Sequence, residues 1–156
     1  MAKSTFVYVT YIRTTPEKLW HALTTPDLIK QYRFGMTIES DWKVGSTWRM
    51  YSDGSLMDSG EILESAPQKR LVTRWLNEWK PEFKAEGYSR CVYEIEPMGA
   101  AVKLTVNHSI ERSDSKFIAA VSVGWAMVVS NLKSFLETGE VALVGSRSEM
   151  RSRQHS

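Results

Sequence analysis

Val121-Ser-Val-Gly-Trp-Ala-Met-Val-Val-Ser-Asn-Leu-Lys-Ser-Phe135 is the stretch on which the fold turns. Its apolar residues Val121, Trp125, Val128, Leu132 and Phe135 recur at spacings of four, three, four and three, the period of one helix face. Ser113 or Asp114 can cap the start of this helix, and Gly139 follows Thr138 at the position where a left-handed residue ends helices. The stripe is long, continuous and apolar. Such a helix must lie flat on something large.

What it lies on is upstream. From Phe34 to Ile110 the period is two, with turn residues every ten or so positions. The spacing predicts strands over 36–41, 47–52, 56–65, 70–76, 88–96 and 101–110, broken by Val44-Gly45-Ser46, Asp53-Gly54, Ala66-Pro67-Gln68 and Pro97-Met98-Gly99. Asp53-Gly54 between two strand-like runs is a hairpin signal. The longest break, 77–87, holds Pro81 with Trp79 and Phe83, and a segment of that kind is expected to cap a site. At the front, residues 5–13 read as a strand. Thr15-Pro16-Glu17 and Thr25-Pro26-Asp27 each start a short helix, the second running to about Tyr32, and the two must form a tight hairpin.

Strand, two short helices, about six strands and one long helix make an α+β chain. The expectation is a curved antiparallel sheet of about seven strands gripping the long C-terminal helix, with a cavity left between them. One domain spans residues 1–143, and a basic, flexible tail spans 144–156. The 156 residues are 42% hydrophobic and 24% charged, with 17 aromatics among them (Trp 6, Tyr 6, Phe 5), an ordinary globular composition. The 20 basic and 18 acidic residues lose three arginines and one acid to the tail, leaving 17 of each sign in the body. A neutral body is a poor footprint for nucleic acid. No uninterrupted apolar run approaches the ~18 residues of a membrane span, so no membrane insertion is expected. Phe6 to Ile12 is short and meets Arg13 and Pro16 without a cleavage site, which reads as a strand of a cytoplasmic protein.

The residues resemble a known superfamily. Ile12-Arg-Thr-Thr-Pro-Glu-Lys-Leu-Trp20 with Leu23-Thr-Thr-Pro-Asp27 is similar to the opening strand and helix pair of the SRPBCC (START-like) proteins. Gly60-Glu-Ile-Leu-Glu64, Pro67 and Arg70-Leu-Val-Thr-Arg-Trp75 resemble its central hairpin. Gly124-Trp125, Leu132 and Leu136-Glu137 resemble the last helix of the branch named for activators of heat-shock protein 90 ATPase. The resemblance covers residues 5 to about 143 and implies a helix-grip fold with a deep hydrophobic cavity. Its members include lipid and hormone carriers and polyketide aromatase/cyclases. In the eukaryotic activators a separate N-terminal domain with an Asn-Trp-His-Trp element carries most of the chaperone contact. This sequence holds no such element, which weighs against a chaperone partner.

Strand parity predicts the cavity lining. Val102, Leu104, Val106 and His108 share one face of the last strand; Cys91, Tyr93 and Ile95 share one face of the strand before it. Trp48 and Met50 point inward; in 71–75 the parity is ambiguous because Leu71 and Val72 compete, and Leu71, Thr73 and Trp75 are the favoured inner set. With Asp58 and the helix residues Val121 and Trp125, these yield ten expected pocket residues: Trp48, Met50, Asp58, Trp75, Cys91, Tyr93, Val106, His108, Val121 and Trp125. An inward Tyr or His is more often a satisfied core residue than a catalytic one. No nucleophile elbow, phosphate-binding glycine loop or His-Glu-x-x-His helix occurs. His21, His108 and His155 are far apart, so neither a metal nor another cofactor is expected. Cys91 stands alone and reads as a small buried hydrophobe. The leading function is non-catalytic binding or sensing of a small lipophilic molecule, in a monomer or a homodimer. The alternative is a cyclase- or hydratase-like enzyme using His108, Tyr93 and Asp58 on a polyketide-like substrate.

Overall fold

The computed structural model of the chain describes residues 2–145. Strand β1 (Ser4–Ile12) leads into α1 (Pro16–Thr24) and α2 (Pro26–Tyr32). Then come β2 (Thr37–Ser40), β3 (Thr47–Ser52), β4 (Ser55–Ala66), β5 (Arg70–Asn77), a one-turn helix α3 (Pro81–Lys84), β6 (Ser89–Met98), β7 (Ala101–Ile110) and the long helix α4 (Lys116–Thr138). All pairings are antiparallel, in the order β1-β7-β6-β5-β4-β3-β2. The curved sheet is therefore a meander from β2 to β7, with the first strand returning to flank the last.

Local chemistry explains the boundaries. Thr25 ends α1 and begins α2, which is as tight as a helical hairpin can be. Thr15 Oγ1 accepts from the Lys18 N–H to cap α1, ahead of Pro16. The long helix starts later than Ser113 or Asp114: Asp114 sits at φ 52°, and the cap is Ser115, whose hydroxyl accepts from the Ile118 N–H. Its other end matches expectation, with Gly139 at φ 87° donating to Phe135 O. Strand β2 is shorter than its alternation suggests because Trp42 turns the chain at φ 59°. Strand β6 runs through Pro97 to Met98, so the turn falls at Gly99 and Ala100. Bulges at Met50/Tyr51 and between Ile62 and Glu64 add curvature.

Strand parity holds through the core. Leu71, Thr73 and Trp75 are buried, and Leu71 and Trp75 join the central cluster with Trp48, Met50, Tyr93, Leu104 and Val106. Val72 is also buried, outside that cluster. Helix α4 spends Trp125, Val128 and Leu132 on the interior. An 18-residue stretch of α4 reaches a mean hydropathy of 1.3, enough by length and composition to cross a bilayer, although serines, Asn131 and Lys133 break the helix into short apolar runs. Half of that stretch is buried inside the fold, as a gripped core helix requires. Past the helix, Asn131 Oδ1 accepts from the Leu143 N–H and its Nδ2 donates to Leu143 O, pinning the chain just before the tail. Of the tail, Val144 and Gly145 are described, and 146–156 lie outside the described residues.

Gly60 is fixed by one close approach. A Cβ there would come 1.6 Å from Arg74 O and 2.6 Å from Trp48 Nε1. The bare backbone lets the Trp48 indole cross β4 and donate to Arg74 O at 3.0 Å. Gly60→Ala is expected to destabilise the protein by at least about 1–3 kcal/mol, the usual cost of overpacking, and more if the indole loses its acceptor. Urea unfolding of the variant checks this, and an unchanged midpoint would contradict the crossing.

Candidate functional site

A cavity of about 740 Å³ opens between the N-terminal half of α4, the α2–β2 connection and the segment 77–87. Its apolar wall comes from Phe34, Met36, Met57, Trp75, Trp79, Phe83, Phe117, Ala120, Val121, Trp125 and Val128. Its polar groups are Arg33, Ser52, Asp53, Ser55, Asp58, Asn77 and Lys80. The size falls within the usual range for a small-molecule site. On α4, Phe117, Val121, Trp125 and Val128 lie at helical spacing, so the first half of the stripe borders the cavity while Leu132 packs in the core.

Of the ten expected pocket residues, Asp58, Trp75, Val121 and Trp125 line this cavity. Trp48 and Tyr93 border a void of about 20 Å³ on the far side of Trp75, which Arg33 also touches. Met50, Cys91, Val106 and His108 are fully enclosed in the core and border neither space. Three groups of lining residues lay outside the sequence-based expectation. Arg33, Phe34 and Met36 follow α2, Ser52, Asp53, Ser55 and Met57 belong to the β3–β4 hairpin, and Asn77, Trp79, Lys80 and Phe83 belong to the long break. Only the last carried a signal, in its two aromatics and unusual length.

That segment is tied down at three points. Asn77 Oδ1 accepts from the Trp79 and Lys80 N–H groups at 3.1 and 2.8 Å, while its Nδ2 donates to Asp58 Oδ1 at 3.2 Å. Glu78 accepts from Ser59 Oγ at 2.6 Å and pairs with Lys84 at 2.8 Å. Glu86 accepts from the Ser115 hydroxyl and from the Lys116 N–H, so the segment's far end is held by the start of α4. Phe83 meets Phe117 edge-on at 5.9 Å. Trp79 stays 56% exposed while bordering the cavity.

His108 is wholly buried and its hydrogen bonds are spoken for. The Trp125 indole N–H donates to Nδ1 at 3.1 Å, and because an indole can only donate, Nδ1 carries the lone pair. The proton is then on Nε2, which donates to Ser89 Oγ at 2.8 Å, and Ser89 Oγ in turn donates to Trp75 O at 3.3 Å. Burial, and after it the charge of Arg33, pushes the imidazole down to about 3. The ring is neutral and locked in one tautomer. It is a fixed acceptor that orients Trp125.

The buried thiol and phenols are also pushed away from neutral pH. Burial raises Cys91 to about 12, Tyr32 to about 12, and Tyr93 well above its ordinary value. None presents a thiolate or phenolate near pH 7. Among the described residues no group of three or more His, Cys, Asp or Glu could hold a metal ion. Asp58, 5% exposed, accepts from the Trp75 indole N–H at 3.0 Å as well as from Asn77. Arg33 is 6% exposed, and its guanidinium carbon lies 5.1 Å from the Trp125 ring centroid.

Comparison with known proteins agrees with this architecture. The sequence profile of the Activator of Hsp90 ATPase homolog 1-like protein family matches residues 13–137. Among solved structures, the chain is similar to protein MLL2253 of Mesorhizobium loti (26% identity, 85% of this chain and 96% of that one, TM-score 0.74). It is also similar to the Aha1 dimer of Colwellia psychrerythraea (22% identity, 87% and 98%, TM-score 0.72). A third is PFC0360w, an HSP90 activator of Plasmodium falciparum (22% identity, 85% and 95%, TM-score 0.70). No curated protein matches the sequence.

The His108 geometry has a pH signature. Its folded pKa of about 3 lies below the unfolded value near 6.5, so between those limits the unfolded chain binds more protons and stability falls as pH falls. The limiting slope is about 1.4 kcal/mol per pH unit. His108→Gln is expected to flatten the unfolding free energy between pH 6.5 and 4, whereas His108→Leu should cost about 1–3 kcal/mol at pH 7 by stranding the Trp125 N–H. Urea titrations across that range decide it; an unchanged slope in the Gln variant would place the ring in water.

Proposed function

The chain belongs to the Activator of Hsp90 ATPase homolog 1-like family, and on that premise we propose that it binds a small lipophilic molecule in its cavity without transforming it. The observation that carries the reading is the cavity of about 740 Å³ walled by eleven apolar side chains, five of them from α4. Each buried CH2 of a ligand contributes about 0.8 kcal/mol before ordering costs, so an apolar chain or ring system gains enough to be retained.

The placement of the three groups an enzyme reading would use supports binding over catalysis. His108, Tyr93 and Asp58 are the residues an enzyme reading would use. His108 and Tyr93 stay outside the 740 Å³ cavity, and burial pulls both away from neutral titration. Asp58 borders the cavity but already accepts from two donors. The segment 77–87 acts as the roof, and the exposed Trp79 marks the way in.

The neutral dye Nile red is expected to bind the native protein with enhanced emission and with quenching of tryptophan fluorescence, Trp75 and Trp125 being the nearest reporters. Val121→Trp fills the space from the helix side. It should weaken Nile red by about tenfold or more and leave the melting temperature within a few degrees, since the added ring enters space already empty. Native protein that stays dark, or a variant that binds as tightly as the parent, would refute this function.

A further inference from the structure

We propose that the cavity's ligand is an amphiphile with an anionic head, and that Arg33 receives that head against the face of Trp125. The inference rests on the ligand-binding reading above and names the chemical class of what is bound.

Arg33 occupies the last cap of α2, where its backbone N–H bonds to Ile29 O and its side chain turns into the protein. It is 94% buried by side-by-side packing yet borders both the cavity and the small void behind Trp75. Its Nε has no hydrogen-bond partner among the described residues. A buried guanidinium donor left open is costly, and a carboxylate or similar anion in the cavity satisfies it with a charge-assisted bond. The guanidinium carbon stands 5.1 Å from the Trp125 ring centroid, so a head group received at Arg33 would lie beside that ring. The charge is felt in the interior: after burial, it is the next influence on Cys91 and His108. Lys80, on the roof segment, adds a second positive charge to the lining.

The opposing arrangement, a cationic head seated on Asp58, is weaker on the same geometry. Asp58 Oδ1 already accepts from Trp75 Nε1 and Asn77 Nδ2. Phe117, Val121 and Phe83 in the same lining offer apolar surface to the tail of an anion held at Arg33.

Three probes with one twelve-carbon chain separate the cases: dodecanoate, dodecanol and dodecyltrimethylammonium, each titrated at pH 8 below its micelle concentration by tryptophan quenching. Wild-type protein is expected to bind dodecanoate about tenfold to a hundredfold more tightly than dodecanol, the range of a charge-assisted hydrogen bond, and the cation most weakly. Arg33→Met should erase the preference while leaving dodecanol within about threefold, and Arg33→Lys should retain part of it. If dodecanol or the cation binds as well as dodecanoate, the anionic head is refuted and the lipophilic-ligand reading survives. If none of the three binds, that reading falls and this inference with it. Preference persisting in a folded Arg33→Met protein would assign the anion to another residue. Should that variant fail to fold, the wild-type ranking and the Arg33→Lys titration still decide the question.

Discussion

Three indoles fill the hollow of this sheet, and each brings an N–H that must find an acceptor in a dry interior. Trp48, Trp75 and Trp125 form a chain of edge-on contacts, 4.8 Å between the first two ring centroids and 5.9 Å between the second pair. Their donors end on Arg74 O, Asp58 Oδ1 and His108 Nδ1 respectively. The need to satisfy them accounts for much of what is polar inside. Asp58 and His108 are buried because tryptophan is, Ser89 is buried because His108 has a second nitrogen, and Gly60 is bare because Trp48 must pass over it. Trp42 is the exception: its Nε1 has no partner among the described residues, and the structure offers no physical account of it.

The same arrangement explains where the space is. Beneath the indoles the concave face is closed by Met50, Cys91, Val106 and His108, which pack to complete burial. Toward the first half of α4 the cavity of about 740 Å³ opens instead. Part of its cover is 77–87, a segment fixed at its ends by Glu78 and Glu86 and at its root by Asn77. Anchoring by carboxylates and a side-chain amide, instead of by a buried apolar face, holds a roof in place without filling what lies under it. α3 has no buried residue, which is consistent with that role.

Periodicity made the elements legible. The 3.6 repeat of Val121 to Phe135 marked the long helix, the two Thr-Pro starts marked the hairpin of helices, and the alternation of Val102, Leu104 and Val106 marked the inner face of β7. The site was less legible, for a geometric reason. Parity separates the two faces of a strand, yet it cannot say whether an inward residue lies under packed neighbours or under empty space. His108 and Trp75 obey the same rule on strands two apart, and only one of them borders the cavity. The remaining wall, Arg33 to Met36 and 77–83, is aperiodic, so its direction is set by turns such as Phe34 at φ 55° and Gly35 at φ 83°. A linear pattern carries no trace of those.

The sheet's exposed side tells a complementary story about α4. Strand β1 is an edge, and its outer face shows Val7, Val9 and Tyr11, each near half exposed. An apolar edge strand invites pairing with another chain. Here the end of the gripped helix intervenes: Lys133 Nζ donates to Tyr11 O at 2.6 Å and pairs with Glu137 at 2.8 Å, while Glu137 accepts from the Arg13 N–H at 2.8 Å. Two backbone groups at the C-terminal end of β1 are thereby taken up by side chains one helical turn apart. At the other end Ser4 Oγ donates to Arg112 O and accepts from the Ser115 N–H just ahead of α4. One helix thus fills the concave face with its apolar stripe and ties down both ends of the edge strand with polar contacts. Its first half, from Phe117 to Val128, also serves as a wall of the cavity.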